Sequence, residues 1–320
     1  MAKTKLSDVI TPEVFTPYVL ERSTELNVFI QSGIATPDNA DIANALSEGG
    51  KVIHLPFWQN KRVNDEVLSD SSSLTINKIQ AGADIAAIHA RGLAYAANDL
   101  AKLFSGDDPM GAIADKVAKD WQGNIQDVAL NSLAGAFAAA TMSSNLLDIS
   151  AGTGTAAVIS NDALVDAMFL LGDHSQELTG LAMHSAVLAK LAKLKLLDTY
   201  PNPTDHSPFY QTYLGKTIIV DDSLAPSGGA YPIYLFGQGA LAFNENTDIA
   251  TTEVDRDILA GDDILTTRRV FTMHPRGIKW IGTPAGATPT NAELAVGTNW
   301  QLVAEAKNVH IAKLIAKISA

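Results

Sequence analysis

Two neighbouring runs decide the reading: YLGKTIIVDDSLA at residues 213–225 and YPIYLFGQGALAF at residues 231–243. From Lys216 to Val220, four of five residues are β-branched, a composition that suits a pleated strand. Asp221-Asp222 stops that strand, and Gly228-Gly229 marks a turn. Residues 231–243 then resume as a strand-like but glycine-rich run.

Upstream, residues 180–183 read as a strand. A helix follows from a Ser185 cap to about Leu196, with Val187, Leu188, Leu191 and Leu194 on one face. Residues 200–207 read as a Pro-rich loop. Residues 161–171 predict a short amphipathic helix capped by Asn161 or Asp162, and residues 143–160, rich in Ser, Gly and Thr, a loop. Asp107-Asp108-Pro109 is a helix start, an acidic cap followed by proline at the first helical position. Beyond it Ile113, Val117, Trp121, Ile125, Val128, Leu133 and Phe137 recur on one side, predicting one helix over 109–140, about 48 Å long. Gly111, Gly123 and Gly135 interrupt it, through close packing or a bend. Ala-rich residues 83–105 are expected to be mostly helical.

Nearer the start, Val52, Ile53, Leu55, Phe57 and Trp58 form a β-rich run, with Pro56 marking an edge position. Residues 59–73 are polar and turn-rich, and Leu74, Ile76 and Ile79 mark a second extended run. The pattern is a protruding hairpin with a long tip, an element that is marginal alone in water. Residues 1–47 are broken by Thr11-Pro12 and Thr16-Pro17. Apart from a short helix near 17–26, they read as an arm lying on something larger. Downstream, residues 270–273 and 278–281 look like paired strands joined by His274-Pro275-Arg276-Gly277. Residues 300–306 and 309–318 finish the chain.

Composition narrows the function classes. With 47% hydrophobic and 18% charged residues the chain is globular rather than disordered. A net charge of −12 argues against gripping a phosphate backbone, which needs clustered Lys and Arg. The absence of cysteine excludes disulfides, Cys-ligated zinc and thiol catalysis. No signal-peptide core or membrane-length apolar run occurs, so a soluble protein made in the cytoplasm is expected.

Read in order, these elements resemble the major capsid proteins of tailed bacteriophages with the Hong Kong 97-type fold. LERSTELNVFIQSGIA (20–35), SGDDPMGAIADKVAKDW (105–121), GLAMHSAVLAKLAKL (180–194), the pair at 213–243 and NWQLVAEAKNVHIAKL (299–314) carry the likeness. The resemblance implies an α+β fold: an N-terminal arm at 1–47 and an extended β-hairpin, the E-loop, at 48–82. A peripheral domain with the spine helix follows at 83–150, then a compact axial domain at 151–240. Residues 241–320 supply the return strands of the peripheral antiparallel sheet and a C-terminal segment. It further implies a homo-oligomer of pentamers and hexamers forming an icosahedral shell around DNA, without sequence-specific binding, cofactor, enzymatic activity or membrane. The virion capsid is then the expected location, assembled in the bacterial host cytoplasm. Many relatives carry a long N-terminal scaffolding segment for which residues 1–47 leave no room, so a separate scaffolding protein, together with a portal, is expected. An encapsulin-like nanocompartment shell protein is the alternative of the same fold, and an oligomeric α/β enzyme the alternative of another class.

Contacts between subunits are expected at Phe57, Trp58, Lys61, Arg62, Asp65 and Glu66 of the hairpin and at Arg268 and Arg269. The acidic stretch 245–263, whose only base is Arg256, reads as a solvated loop, a calcium site, or a contact facing Arg268-Arg269, with the contact favoured. Lys61 and Lys78 lie in or beside the hairpin, where some relatives crosslink a lysine to a neighbour's asparagine. Lysine is common in exposed loops in any case. GTGTAA at 152–157 mimics a dinucleotide fingerprint, but a strong strand before it and a prompt helix after it are missing. Asp173, His174 and Glu177 could seed a metal cluster, yet read as a solvated helix end. The seven histidines show no HxH or HExxH spacing, and no GxSxG nucleophile elbow occurs.

Overall fold

The computed structural model describes residues 28–36, 50–58, 64–68, 73, 76, 81–98, 109–201, 208–257, 259 and 261–319. Its longest helix, α2 (Pro109–Ala138), organises one half. Val117, Trp121, Ile125, Val128, Leu133 and Phe137 are all buried, so the three-and-four spacing does mark the core face. The acidic cap proposed at 107–108 lies outside the described residues. Against α2 lies a four-stranded sheet in the order β1 (Ala35–Thr36), β11 (Leu241–Asp257), β12 (Asp262–Pro275), β4 (His89–Asn98). β11, β12 and β4 are antiparallel, and β1 runs parallel to β11. Trp121, in the middle of the helix, donates its indole N–H to Thr267 Oγ1 of β12 at 3.0 Å, which fixes the rotation of helix on sheet.

The far end of α2 is locked by its neighbours. A Cβ at Gly135 would stand 1.9 Å from the carbonyl oxygen of Leu294 and 2.6 Å from Trp300 Nε1. Those two atoms are joined by a 2.7 Å hydrogen bond, so neither can give way easily. Close packing, not a bend, is why glycine stands there. Leu294 belongs to the short helix α5 (Asn291–Leu294), whose Thr290 and Glu293 form a capping box.

The second half is a seven-stranded mixed sheet. Its order is β5 (Leu146–Asp148), β15 (Ile311–Lys317), β10 (Ala230–Gly237), β6 (Leu178–Met183), β9 (Lys216–Val220), β8 (Pro208–Tyr213), β7 (Asp198–Pro201). α3 (Asn161–Met168) and α4 (Ser185–Lys193) bury Leu164, Met168, Val187 and Leu191 in one cluster with strand residues Leu181, Ile233, Leu235 and Leu314. The KTIIV strand, its acidic stop and the Gly228-Gly229 turn stand where the sequence put them, with both glycines at positive φ.

Several expectations are corrected. Residues 83–105 are not helical over their described part: β3 (Ala81–Ala87) and β4 occupy it. Alanine favours helix by propensity, but exposure alternates along residues 90–96, the period of a strand, and pairing with β12 overrides propensity. The second hairpin strand is therefore β3, beyond the run proposed at 74–79. β13 (Ile278–Trp280) pairs with β14 (Trp300–Leu302) and not with 270–273, which lie between β11 and β4. The loop at 143–160 contains β5 and 3-10 turns. Residues 200–207 begin within β7. The α3 cap is Ser160, whose hydroxyl accepts from Ala163 N at 3.2 Å. The α4 cap is His184, whose Nδ1 accepts from Ala186 N at 3.0 Å.

Part of the arm also has a place in the core. Helix α1 (Val28–Gln31), the turn after it and β1 carry Phe29, Ile34 and Ala35 in that order, all buried, with Phe29 edge-on to Phe236. Leu241 N donates to Ile34 O at 3.0 Å, sealing the segment to β11. The helix expected near 17–26 lies outside the described residues. Ile311–Lys317, assigned by sequence to the C-terminal segment, is an interior strand of the seven-stranded sheet.

Candidate functional site

A hairpin starts where the sequence expects one, but its second strand lies mostly beyond the 48–82 bounds. β2 (Val52–Trp58) pairs antiparallel with β3, from Val52 opposite Ala87 to Trp58 opposite Ala81. Its root is tied to the body in three ways. Ile53, Ala86 and Ile88 form a small buried cluster with Leu55 and Val270. Asp84, buried on β3, accepts from the backbone N–H of Gly277 at 2.8 Å and lies 3.0 Å from His274 Nε2. A third bond comes from Ile85 N at 2.9 Å. Burial alone would raise the Asp84 carboxyl. The His274 ring and the two backbone N–H groups outweigh it and hold the group below the ordinary carboxylate value. Thr272 Oγ1 adds a 2.8 Å bond to Ala87 O. The His274-Pro275-Arg276-Gly277 turn thus serves as the socket of the hairpin.

Away from the root the character changes. Residues 64–68 are exposed and carry no regular structure. Val67, Leu68 and Ile76 are 95%, 80% and 93% exposed, a cost in water unless something covers them. Asp65 and Glu66 lie in this exposed stretch. Phe57 and Trp58 stand on β2 as predicted. Their side chains, and Lys61, Arg62 and Lys78 altogether, lie outside the described residues.

The acidic stretch at 245–263 is corrected from a loop to the two strands of the β11–β12 ribbon. Its register puts three of the acids beside bases of the same chain. Arg268 pairs with Glu253, both more than half exposed. Arg269, 2% exposed, pairs with Glu245 and lies over the Trp121 ring at 5.3 Å. Arg256 Nη1 meets Asp263 at 2.7 Å. Arg268-Arg269 do face the acids, within the chain itself. Next to this ribbon, buried His89 is pushed down to about 3, first by desolvation and then by the charges of Arg91 and His274. It is therefore neutral through the physiological range.

The sequence places Asp173, His174 and Glu177 at a solvated helix end. The fold adds His310, which stands just before β15 and meets Glu177 at 2.8 Å. No local pattern could have found it, because the partners are joined only by the closing of the seven-stranded sheet. GTGTAA at 152–157 forms a bend and a 3-10 turn between β5 and α3, without the strand-to-helix geometry of a nucleotide cradle. Among the described residues no helix is long and apolar enough to cross a membrane.

A family model described as Gp13-like, major capsid protein 13-like, matches residues 53–310. The major capsid protein of Bacillus phage SPP1 is 41% identical over 330 residues, covering 100% of this chain and 100% of that protein. Among solved structures, the cyanophage Pam1 capsid asymmetric unit has a TM-score of 0.55 at 10% identity, covering 87% of this chain and 88% of that one. The capsid of the native GTA particle has a TM-score of 0.53 at 9% identity, covering 88% and 93%. A chain of Mycobacterium phage Bobi has a TM-score of 0.52 at 10% identity, covering 93% and 89%. At such identities the structures bear on the fold alone.

Proposed function

This chain belongs to the Gp13-like major capsid protein family, and from that premise we propose how its parts build a shell. Its function is that of a tailed-phage major capsid protein, a structural component of the virion, and its fold is the α+β fold of the Hong Kong 97 type. The full-length likeness to a phage protein favours this reading over a cellular nanocompartment or an oligomeric enzyme.

In the proposed arrangement the seven-stranded sheet, closed by β15, forms the axial unit around which pentamers and hexamers gather. Helix α2 with the four-stranded sheet forms the peripheral unit. The β2–β3 hairpin, with the arm before residue 28, lies across neighbouring subunits, and the contacts assigned to Phe57, Trp58, Lys61, Arg62, Asp65 and Glu66 belong there. Arg268 remains a rim contact, whereas Arg269 acts inside its own subunit. Interfaces built this way fall in the obligate class, above about 2,000 Å² in total. They join unlike patches and must close on themselves to avoid filaments. An acidic chain lines the shell without gripping DNA. Scaffolding and the portal come from separate proteins, and assembly takes place in the host cytoplasm.

The observation that carries this proposal is the hairpin itself. It is fastened at one end and exposes Val67, Leu68 and Ile76 almost fully at the other. Because Trp58 pairs with Ala81, replacing residues 59–80 by Asn-Gly makes a two-residue turn that fits the ladder. The expected result is an unassembled subunit with an unchanged unfolding midpoint and no shells by electron microscopy. Shells of normal yield and heat resistance from the shortened chain would refute the hairpin's role.

A further inference from the structure

We propose that His174, Glu177 and His310 form a metal site that takes zinc. His174 and Glu177 sit one turn apart in the 3-10 segment Phe169–Glu177, and His310 immediately precedes β15. Nδ1 of His174 is 2.8 Å from one carboxylate oxygen of Glu177. Nε2 of His310 is 2.8 Å from the other. The two imidazoles lie nearly parallel, 24° apart, with centroids 6.4 Å from one another. All three donor atoms fall within 4.8 Å. A tetrahedral zinc, ~2.0–2.1 Å from nitrogen and oxygen, holds its ligands ~3.3 Å apart. The two His–Glu spacings of 2.8 Å lie within about half an ångström of that value, and all three donor atoms stand close enough to share one ion. One cation between the rings would replace two N–H···O bonds with bonds to all three residues.

The chemistry of the donor set is specific. Two imidazoles and one carboxylate are what zinc accepts when a fourth position is left to water. Side-chain exposures of 31% for His174, 46% for Glu177 and 37% for His310 leave that position open to solvent. The backbone is shaped to bring the groups together. Gly237 N donates to His310 O at 2.8 Å. A Cβ at Gly237 would stand 2.8 Å from His310 Cβ and 3.0 Å from Glu177 O, forcing apart the two segments that carry the ligands. Glycine at 237 therefore permits the close approach. Lys307 lies 3.7 Å from Asp173, so the acid next to the site already has a cation of its own. A bound metal would clip a segment in the middle of the chain to one 133 residues further on.

The test uses the purified full chain, stripped with EDTA, dialysed, and titrated with Zn²⁺ against a chromophoric chelator. One zinc per subunit is expected, and Co²⁺ in its place should give the visible d–d absorption of a four-coordinate nitrogen/oxygen site. His310→Ala and Glu177→Gln should each weaken binding at least tenfold with unfolding midpoints unchanged in EDTA. His54→Ala, exposed on β2, should bind as the wild type does. Zinc binding no tighter in the wild type than in Glu177→Gln would overturn the proposal. So would equal loss in His54→Ala. Should His310→Ala fail to fold, the Co²⁺ spectrum of the wild type decides: no d–d bands, no site.

Discussion

The β11–β12 ribbon and the β2–β3 hairpin are both antiparallel pairs, and they meet their polar and apolar demands in opposite ways. The ribbon has β4 along its β12 edge, and carries the pairs Arg268–Glu253, Arg269–Glu245 and Arg256–Asp263 within itself. Its outermost described residue, Leu259, is 99% exposed, but the strands below it are braced by a third strand and by α2. The hairpin is a two-stranded sheet of its own, held by Asp84, Thr272 and a three-residue apolar cluster at the root. An isolated pair of strands is marginal in water. The contrast separates an element braced within the subunit from one that, on the proposed arrangement, needs another surface.

The largest effect should come from the socket. Asp84→Ala leaves the Gly277 N–H and the His274 ring without their buried acceptor, a loss of about 3 kcal/mol. Hydrogen exchange should show β2 and β3 freed while β11 and β12 keep their protection. Equal deprotection of both pairs would erase the distinction between them.

A second effect, spread over several pH units, is set by acid and tests the braced side. His89 in β4 is held to about 3 in the folded chain against 6.5 when free. As pH falls below 6.5 the unfolded chain takes up a proton that the folded chain refuses, so stability declines until about pH 3. The slope is at most about 1.4 kcal/mol per pH unit. Asp84 acts in the same direction but only below its ordinary value of 3.8, because its folded value is lowered. Urea unfolding between pH 7 and 4 should therefore show a slope that His89→Leu flattens. An unchanged slope would place the acid sensitivity elsewhere.

The smallest effect belongs to the ribbon's surface. Arg268→Ala removes an ion pair in which both partners are more than half exposed, and should change subunit stability by less than about 0.5 kcal/mol. A fall of several kcal/mol would mean that the ribbon depends on its rim charges as the hairpin depends on its root.

How much was legible in the sequence followed the range of the interaction. Helix α2 was readable because Val117, Trp121, Ile125, Val128, Leu133 and Phe137 announce one face through local spacing. The KTIIV strand and its Asp221-Asp222 stop were readable for the same reason. Residues 83–98 misled because alanine's helical preference is weak, worth less than a row of ladder bonds to β12. The pairing of β13 with β14 depends on partners about twenty residues apart, closed by the capped helix between them, which no turn signal reports. The caps at Ser160 and His184 lay one residue before the positions chosen, within the ordinary uncertainty of helix ends. The first hairpin strand was visible as a β-rich run before polar chain, while its true partner β3 was hidden in Ala-rich sequence. The Arg269–Glu245 pair and the joining of His310 to Glu177 were not visible, since each is created only by tertiary closure.

That closure has a consequence for the timing of synthesis. Among the described strands, the one that sits between β5 and β10 is the last to leave the ribosome, and until it arrives β10 lacks its neighbour on that edge and β5 lacks its described ladder partner. Helix α2 can form early from local contacts, but the seven-stranded sheet waits for residues 311–317 and so folds late, through pairings of long sequence separation. A nascent chain short of residue 311 therefore has no finished seven-stranded sheet. On the proposed arrangement, shell building waits for those residues too, by the order of strands alone.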